Sequence, residues 1–430
     1  MNILFFSNTY LPHVGGVAKS VHTLENSFRE KGHQVRIVAP EFEGAEPDRN
    51  VLRVPAIQNF NGSDFSVRIP IPNAIWDFVE DFGADIVHSH HPFLLGDAAL
   101  RVARRLQVPI LFTHHTLYER YTHYVPFDSP AMKRMAIALS VEYCNLCDRV
   151  IAPSRSIADL LEKRGVETPV EAIPTGIDCD AFACADGAGF REAKGISAGA
   201  RVIGTVGRLA EEKNLLYLAE AVAAYLREHS DTVFLVVGEG DAAKDMLEIL
   251  GKDVPHEQIR MQGKLSGREL HDAYAAMDCF VFASQTETQG LVLAEALAAG
   301  KPVVALDGPG VREVVADGRN GTLLPSDAPP ARFTENLEAL FGDEETLRAY
   351  SRAARESIEE YDTEVCAAKM LDCYRGTIAE HASDGASEPP DYWRRILAEL
   401  ETEWDLAAAK TAAIRAGFRR TGQTEESQLD

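Results

Sequence analysis

Short apolar runs alternate with helical stretches along nearly the whole chain. NILFFS, QVRIVAP, ADIVHSH, PILFTHH and DRVIAPS occupy the first half, and RVIGTVG, TVFLVVGEG, QIRMQG, CFVFAS and KPVVAL the second. Each run ends in a polar or glycine-containing turn. Strands interleaved with helices build parallel sheets, so the pattern predicts an α/β protein of two successive doubly wound, Rossmann-like domains. The switch between them falls within residues 172–195, where AIPTGIDCDAFACADGAGF is dense in Pro, Gly and Asp and loses its periodicity.

One helical stretch is more apolar than the rest. In ETQGLVLAEALAAG, residues 287–300, Leu291, Leu293 and Leu297 read as core, and Gly300 followed by Pro302 reads as a stop. Glu287 suits a first helical turn. Glu295 does not fit, because a carboxylate between two buried faces is costly unless something pairs with it. Near the C-terminus, HASDGASEPPD (residues 381–391) reads as a linker. After it, Trp393, Ile396, Leu397, Leu400 and Trp404 share one helical stripe. That stripe fits packing on its own body, on a second copy or on a membrane surface, and the oligomeric state stays open.

Composition narrows the picture. A chain of 430 residues, 46% hydrophobic and 25% charged, exceeds one ordinary core and suits two. No run reaches the roughly 20 apolar residues needed to span a bilayer. MNILFFSNTY has neither a basic leader nor a long apolar segment. The expectation is a soluble or peripheral protein in the cytoplasm, at most at the inner face of the membrane. Cys144 and Cys147 form a CxxC without a second pair at matching spacing, which reads as helix packing. A net charge of −23 argues against nucleic acid. It is uneven: residues 1–170 hold 17 Lys and Arg against 19 Asp and Glu, and the remainder 26 against 47. The first half alone is compatible with an anionic surface.

In open parallel sheets ligands bind beyond the carboxyl ends of the strands. After the first strand, TYLPHVGGVAKS brings Gly15 and Gly16 to the start of a helix, where backbone amides can approach a phosphate. It is neither GxGxxG nor GxxxxGK, so a dinucleotide or P-loop site has no support. His88, His90 and His91 follow one strand, and His114 and His115 the next. No acidic ligand has metal spacing beside them, so they read as hydrogen-bonding groups, and Asp178–Asp180 lies in the interdomain stretch; no bound metal is expected. In TVGRLAEEKN, Arg208 follows a strand and Lys213 starts the next helix. Facing the helix that begins near Gly290, two such cations form a pocket for a diphosphate. Glu295 then has a task, accepting hydrogen bonds from the vicinal hydroxyls of a ribose. Glu287 is placed to reach a sugar hydroxyl. Together these residues describe a nucleotide-sugar site.

Arg208, Lys213 and the Glu287 to Glu295 pair, with TYLPHVGGVAKSVHTLENSFREKGHQV at the front and AIPTGID in the middle, resemble the family four retaining glycosyltransferases of the two-domain GT-B fold. The resemblance covers residues 1–378. THHTLYERYTHYV and SQTETQGL are similar to the bacterial diacylglycerol glucosyltransferase branch. It implies two Rossmann-like domains facing each other across a cleft. Residues 1–175 would bind the acceptor and 176–354 the donor, helices of 355–380 would cross back, and 381–430 would add a tail. Arg208 and Lys213 would hold the diphosphate and stabilise the leaving group. Glu295 would bind ribose, Glu287 with the backbone at Gly290 and Leu291 the donor sugar, and Gly15 and Gly16 would lie near the phosphates. His115 would contact the sugar close to the reacting carbon.

No cofactor is implied beyond the donor, expected to be UDP-glucose, and the acceptor is diacylglycerol or a soluble hydroxyl compound. Arg101, Arg104, Arg105, Lys133 and Arg134 are basic groups available to lipid head groups. Two departures bear on the sugar. DGPGVREVV places Arg312 where the family usually has proline, and His114 stands where an aromatic is common. No carboxylate is an obvious nucleophile, which leaves front-face attack and a covalent intermediate both open. A nucleotide-sugar-binding protein without transfer activity is the reading of another class.

Overall fold

The computed structural model describes residues 1–13, 15–57, 67–68, 72–120, 129–384, 405–406 and 409–412. The Trp393 to Trp404 stripe lies outside the described residues. The chain divides into two compact units, Met1–Gly176 with the segment from Cys366 onward, and Ile177–Val365.

The first unit is built on a parallel sheet of seven strands. They are β1 (Asn2–Phe6), β2 (Gln34–Pro40), β3 (Val51–Val54), β6 (Ile86–Ser89), β7 (Ile110–Thr113), β8 (Arg149–Ala152) and β9 (Val170–Ala172), in the order β3-β2-β1-β6-β7-β8-β9. A separate antiparallel pair, β4 (Ala56–Ile57) and β5 (Val67–Arg68), lies between β3 and β6 in sequence. Side chains alternate across a strand, and both faces of β1 are buried. Ile3 and Phe5 pack with Phe28 and Tyr374, while Leu4 and Phe6 pack with Ala99 and Leu100. Tyr374 comes from the helix Thr363–Asp384, which also lays Ala367, Met370 and Leu371 on this sheet. That helix runs past residue 381, where the sequence suggests a linker. Arg149 pairs with Glu380 and His381 with Asp148, which holds the last turns on the sheet.

The second unit carries a six-stranded parallel sheet. Its strands are β10 (Arg201–Val206), β11 (Thr232–Val237), β12 (Ile259–Met261), β13 (Cys279–Phe282), β14 (Val303–Leu306) and β15 (Gly321–Leu324), ordered β12-β11-β10-β13-β14-β15. Val202 and Leu235 face one apolar layer, and Ile203, Phe234 and Val236 the other. The irregular stretch near residue 180 is helical after all. Asp178 caps Cys179–Ala183 and Asp186 caps Gly187–Ala193, so the aspartates that break the hydrophobic period start two short helices. Among the described residues no helix is long and apolar enough to cross a membrane.

In each sheet the strand order reverses beside the first strand of the unit, between β1 and β6 and between β10 and β13. Crevices beyond the carboxyl ends of such neighbouring strands are where open α/β sheets bind ligands.

Candidate active site

The second unit's switch point gathers most of the site suggested by the sequence. Arg208 leaves the end of β10 and pairs with Glu212. Lys213 closes a one-turn 3-10 segment, Glu211–Lys213, rather than starting the next helix. Asn214 takes a left-handed conformation there (φ 54°), and the helix begins at Leu215. From this turn the Lys213 ammonium donates to Glu287 Oε1 at 2.5 Å, and Ser284 Oγ donates to the same oxygen at 2.9 Å. Burial pushes the Glu287 carboxyl up. The Lys213 charge and hydrogen bond, the Ser284 hydroxyl and the Arg208 charge outweigh it, and the acid sits below its ordinary range. The two cations expected at a diphosphate are therefore each matched with a carboxylate.

Backbone locks hold the two loops in place. Leu209 N–H donates to Glu239 O, Gly207 N–H to Val237 O and Gly238 N–H to Gly263 O. A Cβ on Gly238 would stand 1.8 Å from Gly207 O, so only glycine lets the chains after β10 and β11 approach this closely. Beyond β13, Gly290 caps the helix Leu291–Ala298 in the left-handed region (φ 73°, ψ 47°), again a glycine position. The helix thus starts beside Glu287, with its first amides free of intrahelical partners. Gly310 N–H donates to Glu287 O and ties in the following loop. Arg312, at the proline position of the family pattern, makes a two-point pair with Asp307 at 2.9 and 3.0 Å.

Glu295 is 3% exposed in the middle of that helix, and the group that binds it is Tyr274, whose hydroxyl donates to Oε2 at 2.7 Å. Burial, followed by the Glu295 charge and hydrogen bond, holds the Tyr274 phenol protonated. Sequence reasoning missed Tyr274. Its only signal is a tyrosine on the helical stretch before β13, a spacing that does not announce a contact with Glu295.

In the first unit, Gly15 and Gly16 stand at the start of the helix Gly16–Glu30, Gly15 as its cap. The loop before them is pinned from below. The Tyr10 hydroxyl donates to Glu25, Glu25 pairs with Arg29 at 2.7 Å, and Arg53 donates to Leu11 O at 2.6 Å. Asn8 joins the loops after β1 and β6, giving Nδ2–H to Phe93 O and taking N–H from Leu95, while its own backbone N–H donates to His91 Nδ1 at 3.0 Å.

The histidines after β6 and β7 form one packed group. His88 bridges Tyr374 O–H and Thr113 Oγ1 (2.7 Å). Its ring lies 4.2 Å from that of His90, which stacks on His115 at 5.3 Å, and His114 meets Ser140 at 3.0 Å. Burial lowers all five pKa values, to about 3 for His88 and His91 and about 4 for His114. They are neutral hydrogen-bonding groups. Among the described residues no three His, Cys, Asp or Glu converge as metal ligands. Cys144 and Cys147 are unpaired and buried, and burial raises both thiols.

Set against known proteins, residues 14–181 match the model of Glycosyltransferase Family 4 and residues 188–357 that of Glycosyl transferases group 1. The α-monoglucosyldiacylglycerol synthase of Streptococcus pneumoniae is 30% identical over 75% of this chain and 75% of its own. That of Acholeplasma laidlawii is 28% identical over 85% of this chain and 95% of its own. The fold is shared with sucrose-phosphate synthase from Thermosynechococcus elongatus at a TM-score of 0.74 and 19% identity, covering 88% of this chain and 99% of that one.

Proposed function

We propose that this chain, which belongs to glycosyltransferase family 4, moves glucose from UDP-glucose to the free hydroxyl of diacylglycerol with retention at the anomeric carbon. The observation that carries the reading is the meeting of Arg208, Lys213 and Glu287 at the β10–β13 switch point. The C1–O bond to the diphosphate breaks as positive charge builds on the sugar, and UDP departs with the electron pair. Arg208 and Lys213 exchange Glu212 and Glu287 for phosphate oxygens, and the helix Leu291–Ala298 adds its positive end. Electrostatic stabilisation of the departing phosphate is the main catalytic term. Glu287, released from Lys213, accepts from a sugar hydroxyl, and Glu295 with Tyr274 holds the ribose. The acceptor oxygen bonds to C1 and its proton leaves with the phosphate.

The second unit binds the donor and the first the acceptor, with no metal required. The similarity to glucosyldiacylglycerol synthases supports a lipid acceptor. So do Arg101, Arg104 and Arg105, exposed on the helix Leu95–Leu106 where they can meet anionic head groups. Radiolabelled UDP-glucose offered with diacylglycerol in anionic vesicles, and separately with water-soluble sugars, tests this. Label in the organic phase is the expected result. Label only in the aqueous product would replace the lipid by a soluble acceptor, and intact UDP-glucose in both would reduce the protein to a donor binder.

A further inference from the structure

We infer that His90 is a positioning residue whose Nδ1–H fixes the tautomer of His115, so that His115 presents Nδ1–H to the transferred sugar. The inference rests on the reading of His115 as the group nearest that sugar. His90 Nδ1 and His115 Nε2 are 3.0 Å apart, so one of them carries the shared hydrogen. The choice is made on the far side of the His90 ring. His90 is fully buried, and its Nε2 has no hydrogen-bond partner. If Nε2 carried the hydrogen, a donor would be orphaned in the interior, and orphaned buried N–H groups are rarer in folded proteins than under-satisfied acceptors. With the hydrogen on Nδ1 the orphan is only a lone pair. His90 Nδ1–H then donates, His115 Nε2 accepts, and the one hydrogen of a neutral His115 ring goes to Nδ1.

The surroundings keep both rings neutral. The His88 ring lies tilted against His90 at 4.2 Å, held by Tyr374 and Thr113, and Phe5 closes the other approach edge-on at 5.0 Å. With Nε2 engaged by His90, His115 is a hydrogen-bond donor to a sugar oxygen and not a general base.

Long-range proton–nitrogen spectra of protein labelled with ring-¹⁵N histidine read the tautomer directly, with the His115 signals identified by their loss in His115→Gln. We expect the Nδ1–H form in the wild type. It should persist in His90→Asn, whose amide N–H can replace Nδ1–H, and be lost in His90→Leu. The kinetic counterpart is a fall in kcat of about tenfold or more in His90→Leu at an unchanged donor KM, restored by Asn, as for other tautomer-fixing partners. An Nε2–H form of His115 in the wild type would overturn the inference even if His90→Leu failed to fold. So would an unaltered tautomer in folded His90→Leu. A wild type that leaves UDP-glucose intact but shows Nδ1–H on His115 would count against the proposed transfer reaction and for the His90 assignment.

Discussion

At the carboxyl ends of β6 and β7 the first unit collects five histidines that burial keeps neutral. At the ends of β10 and β13 the second unit pairs Arg208 with Glu212 and Lys213 with Glu287. Both regions lie at strand carboxyl ends beside the switch point of a parallel sheet, the first unit's one strand further along, yet one avoids charge and the other assembles it. An ion pair can exchange its carboxylate for a phosphate, so on the proposed reading the second unit suits an anion whose charge grows during reaction. A neutral imidazole bonds an uncharged hydroxyl without gaining or losing a proton. The same fold thus supplies two electrostatic environments, set by the strand-end residues rather than by topology.

The contrast breaks most sharply with acid. A buried neutral histidine has a folded pKa below its unfolded value, so below pH about 6.5 the unfolded chain binds more protons and stability falls until the folded pKa is passed. For His88, His91 and His114 that window runs from about 6.5 down to about 3 or 4. Each should weaken the first unit by about 1.4 kcal/mol per pH unit, a tenfold change, within it. No histidine is among the buried polar groups described for the second unit. Glu287, with its lowered pKa, contributes stability that is present above its unfolded value of about 4.3 and is lost only below that. Hydrogen exchange at pH 7 and pH 5.5, corrected for intrinsic rates, should therefore show β6 and β7 losing far more protection than β11 and β13. Equal losses in both sheets would remove the proposed difference.

Next in size is loss of the cations themselves. Arg208→Ala or Lys213→Ala should lower kcat by about a hundred- to a thousandfold, the scale of removing one preorganised charge-stabilising group. Turnover of the wild type should survive exhaustive chelation. A need for Mg²⁺ or Mn²⁺ would transfer the role of these cations to a metal.

How far the sequence anticipates this arrangement depends on where each residue lies. The ten apolar runs became strands because both their faces are covered, which makes them continuous and conspicuous. Besides the two-residue strands β4 and β5 of the separate pair, the runs omit β3, β9 and β15, which are short edge strands of the two large sheets, and VLRV and VEA carry polar residues that blur the pattern. Arg208, Lys213 and Glu287 could be grouped in advance because each follows a recognisable strand. Tyr274 could not, since its bond to Glu295 depends on how two helices pack. Nor could the partnership of His90 and His115, 25 residues apart and joined only by the pairing of β6 with β7.

The smallest expected effects separate the two glutamates, which share a helix region but not an environment. Glu295 is enclosed and hydrogen-bonded by Tyr274, in a place where a ribose contact would be equally strong before and during reaction. Glu295→Gln should therefore mainly raise the donor KM. Glu287 is held by Lys213 and Ser284, and the proposed reaction has the sugar gain charge beside it, so Glu287→Gln should mainly lower kcat. Each change removes a charged hydrogen bond and should act by about 1.5 to 3 kcal/mol, roughly ten- to a hundredfold. Tyr274→Phe sharpens the test, because it removes the short bond to Glu295, with a longer one to Val292 O at 3.4 Å, and leaves Glu287 untouched; it should follow Glu295→Gln in raising KM while leaving kcat near wild type. Donor titrations of the three variants, with folding checked by circular dichroism, read both constants. If Glu287→Gln and Glu295→Gln moved KM and kcat alike, the two carboxylates would share one role. If neither moved either constant, both would be structural charges at the start and middle of a helix, and the nucleotide-sugar site would lie elsewhere.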